Sequence, residues 1–218
     1  MSIQHAKTHI PSQEQNVKKA LKNLCAEAPC HHLARLVHHA AHAGRISYGE
    51  AKQLLGEDLD EALLTAVHLR LLIPVRSVND SLNWVDAMLL FEPGETYKIP
   101  NIARQLVLQA GSSGRWETDN AVSTLFQDMG EPNWNLMPVL VRRLCAIARD
   151  QHVNGFEIER VCTEIGLADK VGALILELKG AGIMSPKLDS FSEVQRAGSP
   201  IYEINRSILL SLSQVPTG

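Results

Sequence analysis

Five histidines, His31, His32, His38, His39 and His42, crowd one short stretch of the chain. The stretch has helical spacing, because Leu33, Leu36, Val37, Ala40 and Ala41 form one apolar stripe. His38 and His42 are then i and i+4, so two imidazoles share one side of one turn, a spacing at which a metal ion can be held. Cys25 and Cys30 lie nearby in sequence. The helical wheel also gives a plainer reading. His31, Arg35, His38 and His42 lie opposite the apolar stripe, as a solvated face does, and Arg35 is a poor neighbour for a cation. The sequence therefore predicts no metal centre, with His38 and His42 as the residues that would hold an ion. A surface that titrates near neutral pH is the other use of such a cluster.

The remaining chemistry is sparse. Cys25, Cys30, Cys145 and Cys162 contain no CxxC pair and are too few for a disulfide framework. Cys145 and Cys162 fall at core-like helix positions, as small apolar residues. Gly111-Ser112-Ser113-Gly114 lacks the lysine and the helix context of a phosphate loop, and no nucleophile elbow, zinc-protease motif or dinucleotide fingerprint occurs. Glu157, Glu159 and Glu164 are scattered on a helix surface. The expectation is a protein that is not an enzyme, with no cofactor and no small-molecule substrate.

Composition narrows the class. The chain has 218 residues, 45% hydrophobic and 21% charged, with aromatics at 5%, so Leu, Ile, Val and Ala must build a helix-rich core. The net charge is −3, and a chain that grips phosphates through its bulk charge is basic instead. Met1 to Gln15 shows no apolar signal-peptide core, and no run reaches the ~18 apolar residues of a membrane span. A cytoplasmic location with no membrane partner follows as the expectation.

The elements that carry these residues come in two similar sets. Ser12 with Gln15 predicts the start of a first helix, and Pro29 its close. From His31 to Ala110 the order is helix, helix, helix, strand, strand, helix. Ser47 caps the second helix, Tyr48 to Leu55, with Glu50 at the capping-box position. A third helix runs from Asp58 to Leu71. Ile73, Val75 and Val78 alternate as a strand, and Thr96 to Ile99 is the returning one. Leu136 to Leu212 repeats this order. Leu33 and Leu140, Val37 and Leu144, Ala40 and Ile147, Ile46 and Val153, and Glu50 and Glu157 are each 107 residues apart. Gly56 and Gly166 are 110 apart, Val67 and Leu178 with Leu72 and Ile183 are 111 apart, and Tyr97-Lys98-Ile99 and Tyr202-Glu203-Ile204 are 105 apart. A duplication with small gaps in loops explains this drift. Between the copies, Gly111 to Gly114 is flexible by composition, and Asp119 caps a short helix from Asn120 to Met129.

Leu178-Lys179-Gly180-Ala181-Gly182-Ile183 resembles the end of a winged-helix recognition helix entering its wing. Ile201 to Asn205 resembles the returning wing strand. Val67 to Ile73 and Thr96 to Asn101 are the first-copy counterparts. The chain thus resembles the winged helix-turn-helix superfamily. The resemblance implies a mainly α fold with small β-hairpins (α+β): an N-terminal helical arm (1–30), a first winged-helix domain (31–110), a linker with a short helix (111–135) and a second winged-helix domain (136–218). In copy number, length and mild acidity the chain also resembles the tandem winged-helix subunits that partner the kleisin in structural-maintenance-of-chromosomes complexes.

In DNA-binding members the third helix reads the major groove with Arg, Lys, Asn, Gln, Ser or Thr. Here the wheel puts Leu63, Leu64, Val67 and Leu71 inward in copy one, and Ala62, Thr65, Ala66 and Leu69 outward. In copy two Val171, Leu174, Ile175 and Leu178 face inward, and Asp169, Gly172, Ala173, Leu176 and Gly180 outward. Small apolar faces of this kind suit burial within the chain or contact with a partner protein, and suit DNA least. In the first wing, Trp84, Met88, Leu89 and Phe91 form a dense apolar insertion that is either an interface anchor or an extra helix folded on its own domain. Two functions follow. One is a protein-interaction or scaffold subunit of a DNA-associated complex, using Ala62, Thr65, Ala66, Leu69, Trp84, Met88, Leu89, Phe91, Gly172, Ala173 and Leu176, with a protein partner or a second copy. The alternative is a DNA-binding transcriptional regulator, for which Arg45, Lys52, Arg76 and Lys98, or Arg142, Arg143, Lys187 and Arg196, must cluster.

Overall fold

A computed structural model describes residues 10–22, 24, 30–75, 84, 91–187 and 198–213. The fold is mainly helical with two small antiparallel three-stranded sheets. The first half runs α1 (Ile10–Leu21), α2 (Cys30–Ala43), β1 (Arg45–Ser47), α3 (Tyr48–Leu55), α4 (Leu59–His68), β2 (Ile73–Val75), β3 (Thr96–Lys98) and α5 (Asn101–Ser113). After α6 (Thr118–Asp128) come α7 (Met137–Ile147), β4 (His152–Asn154), α8 (Gly155–Glu164), α9 (Val171–Gly180), β5 (Met184–Pro186), β6 (Ile201–Ile204) and α10 (Arg206–Ser213). The strand orders are β1-β3-β2 and β4-β6-β5. Tyr97 at the centre of β3 pairs with Ile46 and Pro74, and Tyr202 in β6 pairs with Val153 and Pro186. The segments at Ile46 and Val153 are therefore full strands of three-stranded sheets.

Local chemistry explains why α3 and α8 start where they do. Ser47 Oγ accepts from the Glu50 N–H at 3.2 Å, and the Glu50 carboxylate accepts the Ser47 N–H at 2.8 Å. Asn154 and Glu157 make the same reciprocal pair in the second half. Each pair satisfies orphan donors of a first helical turn. The Ser47 backbone N–H first, and its hydroxyl second, hold the Glu50 carboxyl below its ordinary value. In Ser47→Ala the backbone donor remains and the hydroxyl is gone. The Glu50 midpoint, read by carboxyl NMR, should rise part of the way back. Because a depressed carboxylate stabilises the fold above its unfolded pKa, the deficit of Ser47→Ala should shrink as pH falls through the Glu50 folded value.

Three sequence expectations change. The first helix begins at Ile10 rather than at a Ser12 cap, with Pro11 in the first turn where its missing N–H is harmless, and it ends at Leu21. Gly111-Ser112-Ser113 is no flexible joint but the last turn of α5, with Gly114 as its left-handed cap. Ser113 Oγ donates to the Gln109 carbonyl, and Gly111 is buried against α1, where a Cβ would meet the Gln13 Cβ at an ordinary 3.7 Å. Finally, the helices α4 and α9 correspond at an offset of 112, not 111. The Leu71 N–H donates to the Ala66 carbonyl and the Ile183 N–H to the Leu178 carbonyl, both at 2.9 Å, and Arg70 and Gly182 share a positive φ. Neighbouring apolar residues had allowed a one-residue slip.

Two hydrophobic cores form, and α5 belongs to both. Ala103, Val107 and Ala110 pack into the first core with α1, α2, α3 and α4. Ile102 and Leu106 pack into the second with α6 to α10. Trp116 lies against both, and its Nε1 donates to the Ser207 carbonyl at 3.3 Å.

The halves also meet through reciprocal polar contacts. The Ser207 N–H donates to the Leu69 carbonyl at 3.0 Å, and the Ile102 N–H to the Ala181 carbonyl at 2.9 Å. These bonds are counterparts, since β3–α5 maps on β6–α10 at 105 and α4 on α9 at 112. Arg206 Nη1 meets His68 Nδ1 at 3.0 Å where Asn101 Nδ2 donates to the Gly180 carbonyl at 3.0 Å. Asn205 Nδ2 reaches the Arg70 carbonyl where Pro100 lies against Gly182. Such i-to-j and j-to-i pairing is the pattern of an isologous, two-fold contact, here within one chain.

Candidate functional site

Exposed apolar side chains on α4 and α9 mark the candidate surface. Each helix carries one leucine in solvent at the equivalent position: Leu64 is 58% exposed and Leu176 is 66% exposed. The neighbours differ. Around Leu64 stand Asp60, Glu61 and His68, all exposed, with Thr65 half-buried. Around Leu176 stand Gly172, Ala173 and Gly180, all exposed. The α9 surface is thus small and apolar with a single protruding side chain, and the α4 surface is acidic around its leucine.

This revises the interface residues read from the wheel. Ala62, Ala66 and Leu69 are buried in the first core rather than outward, and Leu64 is outward rather than inward. Leu59, Ala62, Leu63, Ala66 and Val67 take the inner side of the helix, packed into the first core. The polar residues carried the missed signal: Asp60 and His68 lie four residues either side of Leu64. In α9 the wheel and the structure agree for Gly172, Ala173 and Leu176.

The wing insertion divides. Trp84 is buried, not an exposed anchor; its backbone N–H donates to Ser185 Oγ at 3.3 Å and the Arg70 guanidinium lies 5.7 Å from its ring centroid. Phe91 is exposed. Met88 and Leu89 lie outside the described residues.

Among the described residues, three of the candidate DNA-contacting basic side chains stand beside carboxylates. Lys52 approaches Glu57 at 3.7 Å, Arg142 approaches Asp119 at 3.5 Å and Arg143 bonds Glu164 at 2.9 Å. Arg45 and Lys98 are exposed and sit opposite one another across the β1–β3 pair. Lys187 follows β5 and is half-buried. Arg76 and Arg196 lie outside the described residues. Helix α4 holds no lysine or arginine, and α9 holds Lys179.

Other reactive groups are muted. Burial pushes the half-buried Cys145 thiol up to about 12 and raises that of Cys162, so neither is a thiolate near neutral pH. Beside α9, the Glu131 carboxylate accepts from the Asn133 N–H and Nδ2, both at 2.8 Å, with Lys170 at 3.8 Å. Burial first, and the Glu131 charge second, push the Glu177 carboxyl up. His38 and His42 are the one i, i+4 pair of imidazoles on α2, and they touch. Among the described residues no group of three His, Cys, Asp or Glu side chains is placed to hold a metal ion, and no helix is long and apolar enough to cross a membrane.

The polar seam between the halves was not read from the sequence. Arg70, Glu203, Asn205 and Arg206 make it, and the signal was Arg70 standing where the second copy has Gly182.

No curated protein and no solved structure matches the chain. A protein-family model matches residues 15–214 of the 218. That match takes in both halves and the later part of α1, and the chain belongs to that family, whose function is not established.

Proposed function

We infer that the chain is a tandem pair of winged-helix units acting as a non-enzymatic protein-interaction subunit, within a DNA-associated assembly. The element order and the β1-β3-β2 and β4-β6-β5 strand orders support the winged-helix reading. The observation that carries the function is the pair of solvent-exposed leucines, Leu64 and Leu176, at equivalent positions on the third helix of each unit. In a DNA reader that helix presents cations and amides to phosphates and base edges. Here it presents a leucine among small or acidic side chains, which suits a dry protein contact and repels phosphate. The two units are fixed against each other by α5 and the reciprocal seam, so both leucines are offered in one rigid arrangement.

The test uses Leu64→Glu, Leu176→Glu and the double variant. Both positions are exposed, so the melting temperatures should stay close to wild type. A partner co-purified from the native cell, then reconstituted from purified components, should lose about 2 kcal/mol of binding per leucine, or about thirtyfold in Kd. A partner that binds the double variant as tightly as wild type ends this reading. So does tight binding of mixed duplex DNA by the chain alone, falling steeply with salt.

A further inference from the structure

The Nε2 atoms of His38 and His42 are 3.3 Å apart at the C-terminal end of α2, and their rings meet edge to face with centroids 4.7 Å apart. In a tetrahedral site with Zn–N of about 2.0–2.1 Å, two nitrogen ligands stand about 3.3–3.4 Å from one another. The pair already has the separation of two corners of that tetrahedron. We propose that His38 and His42 form a two-histidine chelate for a borderline first-row cation such as Zn²⁺, with Ni²⁺ and Cu²⁺ as competitors. The inference does not rest on the reading of α4 and α9.

The chemistry needs little rearrangement. Without an ion, one Nε2–H donates to the other Nε2. With an ion, both Nε2 lone pairs coordinate, and both rings carry their proton on Nδ1. The transferred proton moves from Nε2 to Nδ1 of the same ring through solvent, so two neutral imidazoles bind with no net proton release. Burial first, and His42 second, lower the His38 pKa, while Glu14 opposes them.

The surroundings set the strength. His39 neighbours the pair on α2. From α1, Glu14 faces the same helix and lies 3.7 Å from His31 and 3.9 Å from Arg35. From α5, Arg104 Nε donates to the Ala41 carbonyl at 2.7 Å and adds positive charge near His42. With no third protein ligand in place among the described residues, water completes the coordination sphere. The site is open and of modest affinity, unlike a closed structural zinc site.

The test titrates Zn²⁺ alone into the full, reduced chain by calorimetry at pH 7.5. His38→Gln, His42→Gln and His39→Gln are compared with wild type, each first checked for an unchanged ion-free melt. One ion should bind per chain. His38→Gln and His42→Gln should each weaken binding by more than about tenfold, and His39→Gln, with no imidazole four residues away, should leave it unchanged. Histidine ¹⁵N spectra should show coordination at Nε2 of both rings, and affinity should fall as pH drops and protons compete for them. Absence of saturable binding, or binding that His42→Gln leaves intact, overturns the proposal.

Discussion

Arg70→Ala should lower the stability of the folded chain by about 3–5 kcal/mol. The guanidinium grips Glu203 through three hydrogen bonds: Nε to Oε1 at 3.1 Å, Nη2 to Oε1 at 3.0 Å and Nη2 to Oε2 at 2.9 Å. Glu203 is only 3% exposed, so removing Arg70 strands a carboxylate that water cannot reach. Burial lowers the Arg70 pKa and Glu203 pulls it back up, and a guanidinium stays charged throughout this range. Arg206 Nε, 3.2 Å from Glu203 Oε1, compensates in part and should hold the loss toward the lower figure. The Trp84 contact is lost as well. For a chain of this size the shift in melting temperature is roughly 6–20 °C.

Chemical denaturation of Arg70→Ala, Glu203→Gln and the double variant gives the coupling energy directly. Arg70→Met with Glu203→Leu should recover much of the loss, because an apolar replacement of both partners leaves no buried charge. A change below 1 kcal/mol in Arg70→Ala would show that the seam between the halves contributes little. Arg70 also stands at φ +59, a conformation that costs an L-residue about 1–2 kcal/mol. The bond from the Leu71 N–H to the Ala66 carbonyl and the Asn205 amide on the Arg70 carbonyl hold it there.

These residues mark the boundary of what the sequence disclosed. The capping boxes at Ser47 and Asn154 depend on residues three apart, so Glu50 and Glu157 were legible as helix starts. Tyr97 and Tyr202 were legible as equivalent strand centres, since the strand patterns around them match. The phase of α4 was legible only through Asp60, Glu61, Thr65 and His68, which share the face of Leu64. Its apolar residues alone do not set it, and the choice of Ala62 and Ala66 over Leu64 is made by α2 and the surrounding core, far away in sequence. The double duty of α5 was hidden for the same reason: Ile102 and Val107 read as one amphipathic helix, with nothing local to say that two cores divide it. Gly111 read as a linker residue because composition alone cannot distinguish a flexible glycine from one packed inside a helix. Of the candidate surface, Leu176 and its small neighbours were found because Leu174 and Leu178 keep the inner side of α9. Leu64 emerges only once the offset of 112 pairs it with Leu176.

Gly182→Ala should lower the stability of the folded chain by about 2–5 kcal/mol. Its φ is +73, which costs an alanine about 1–2 kcal/mol, and a Cβ there would lie 2.6 Å from Pro100 Cβ. The pyrrolidine ring is stiff and Pro100 is buried, so the clash cannot be relieved by a rotamer change; overpacking of this kind costs about a further 1–3 kcal/mol. The contact lies where the Ile102 N–H meets the Ala181 carbonyl and Asn101 Nδ2 meets the Gly180 carbonyl, so the start of α5 must shift away from the end of α9. Gly166 supplies the control. Its φ is +79 with nothing within 4 Å of a built Cβ, so Gly166→Ala carries the backbone strain alone. The difference between the two variants in denaturant isolates the contact with Pro100. Pro100→Gly in the Gly182→Ala background should recover that difference and no more. Equal losses in Gly182→Ala and Gly166→Ala would mean that the halves are not held at this contact. The equivalent site in the first half explains why a side chain survives there: opposite Arg70 stands Asn205, whose amide bonds the Arg70 carbonyl at 3.1 Å, in place of a proline ring.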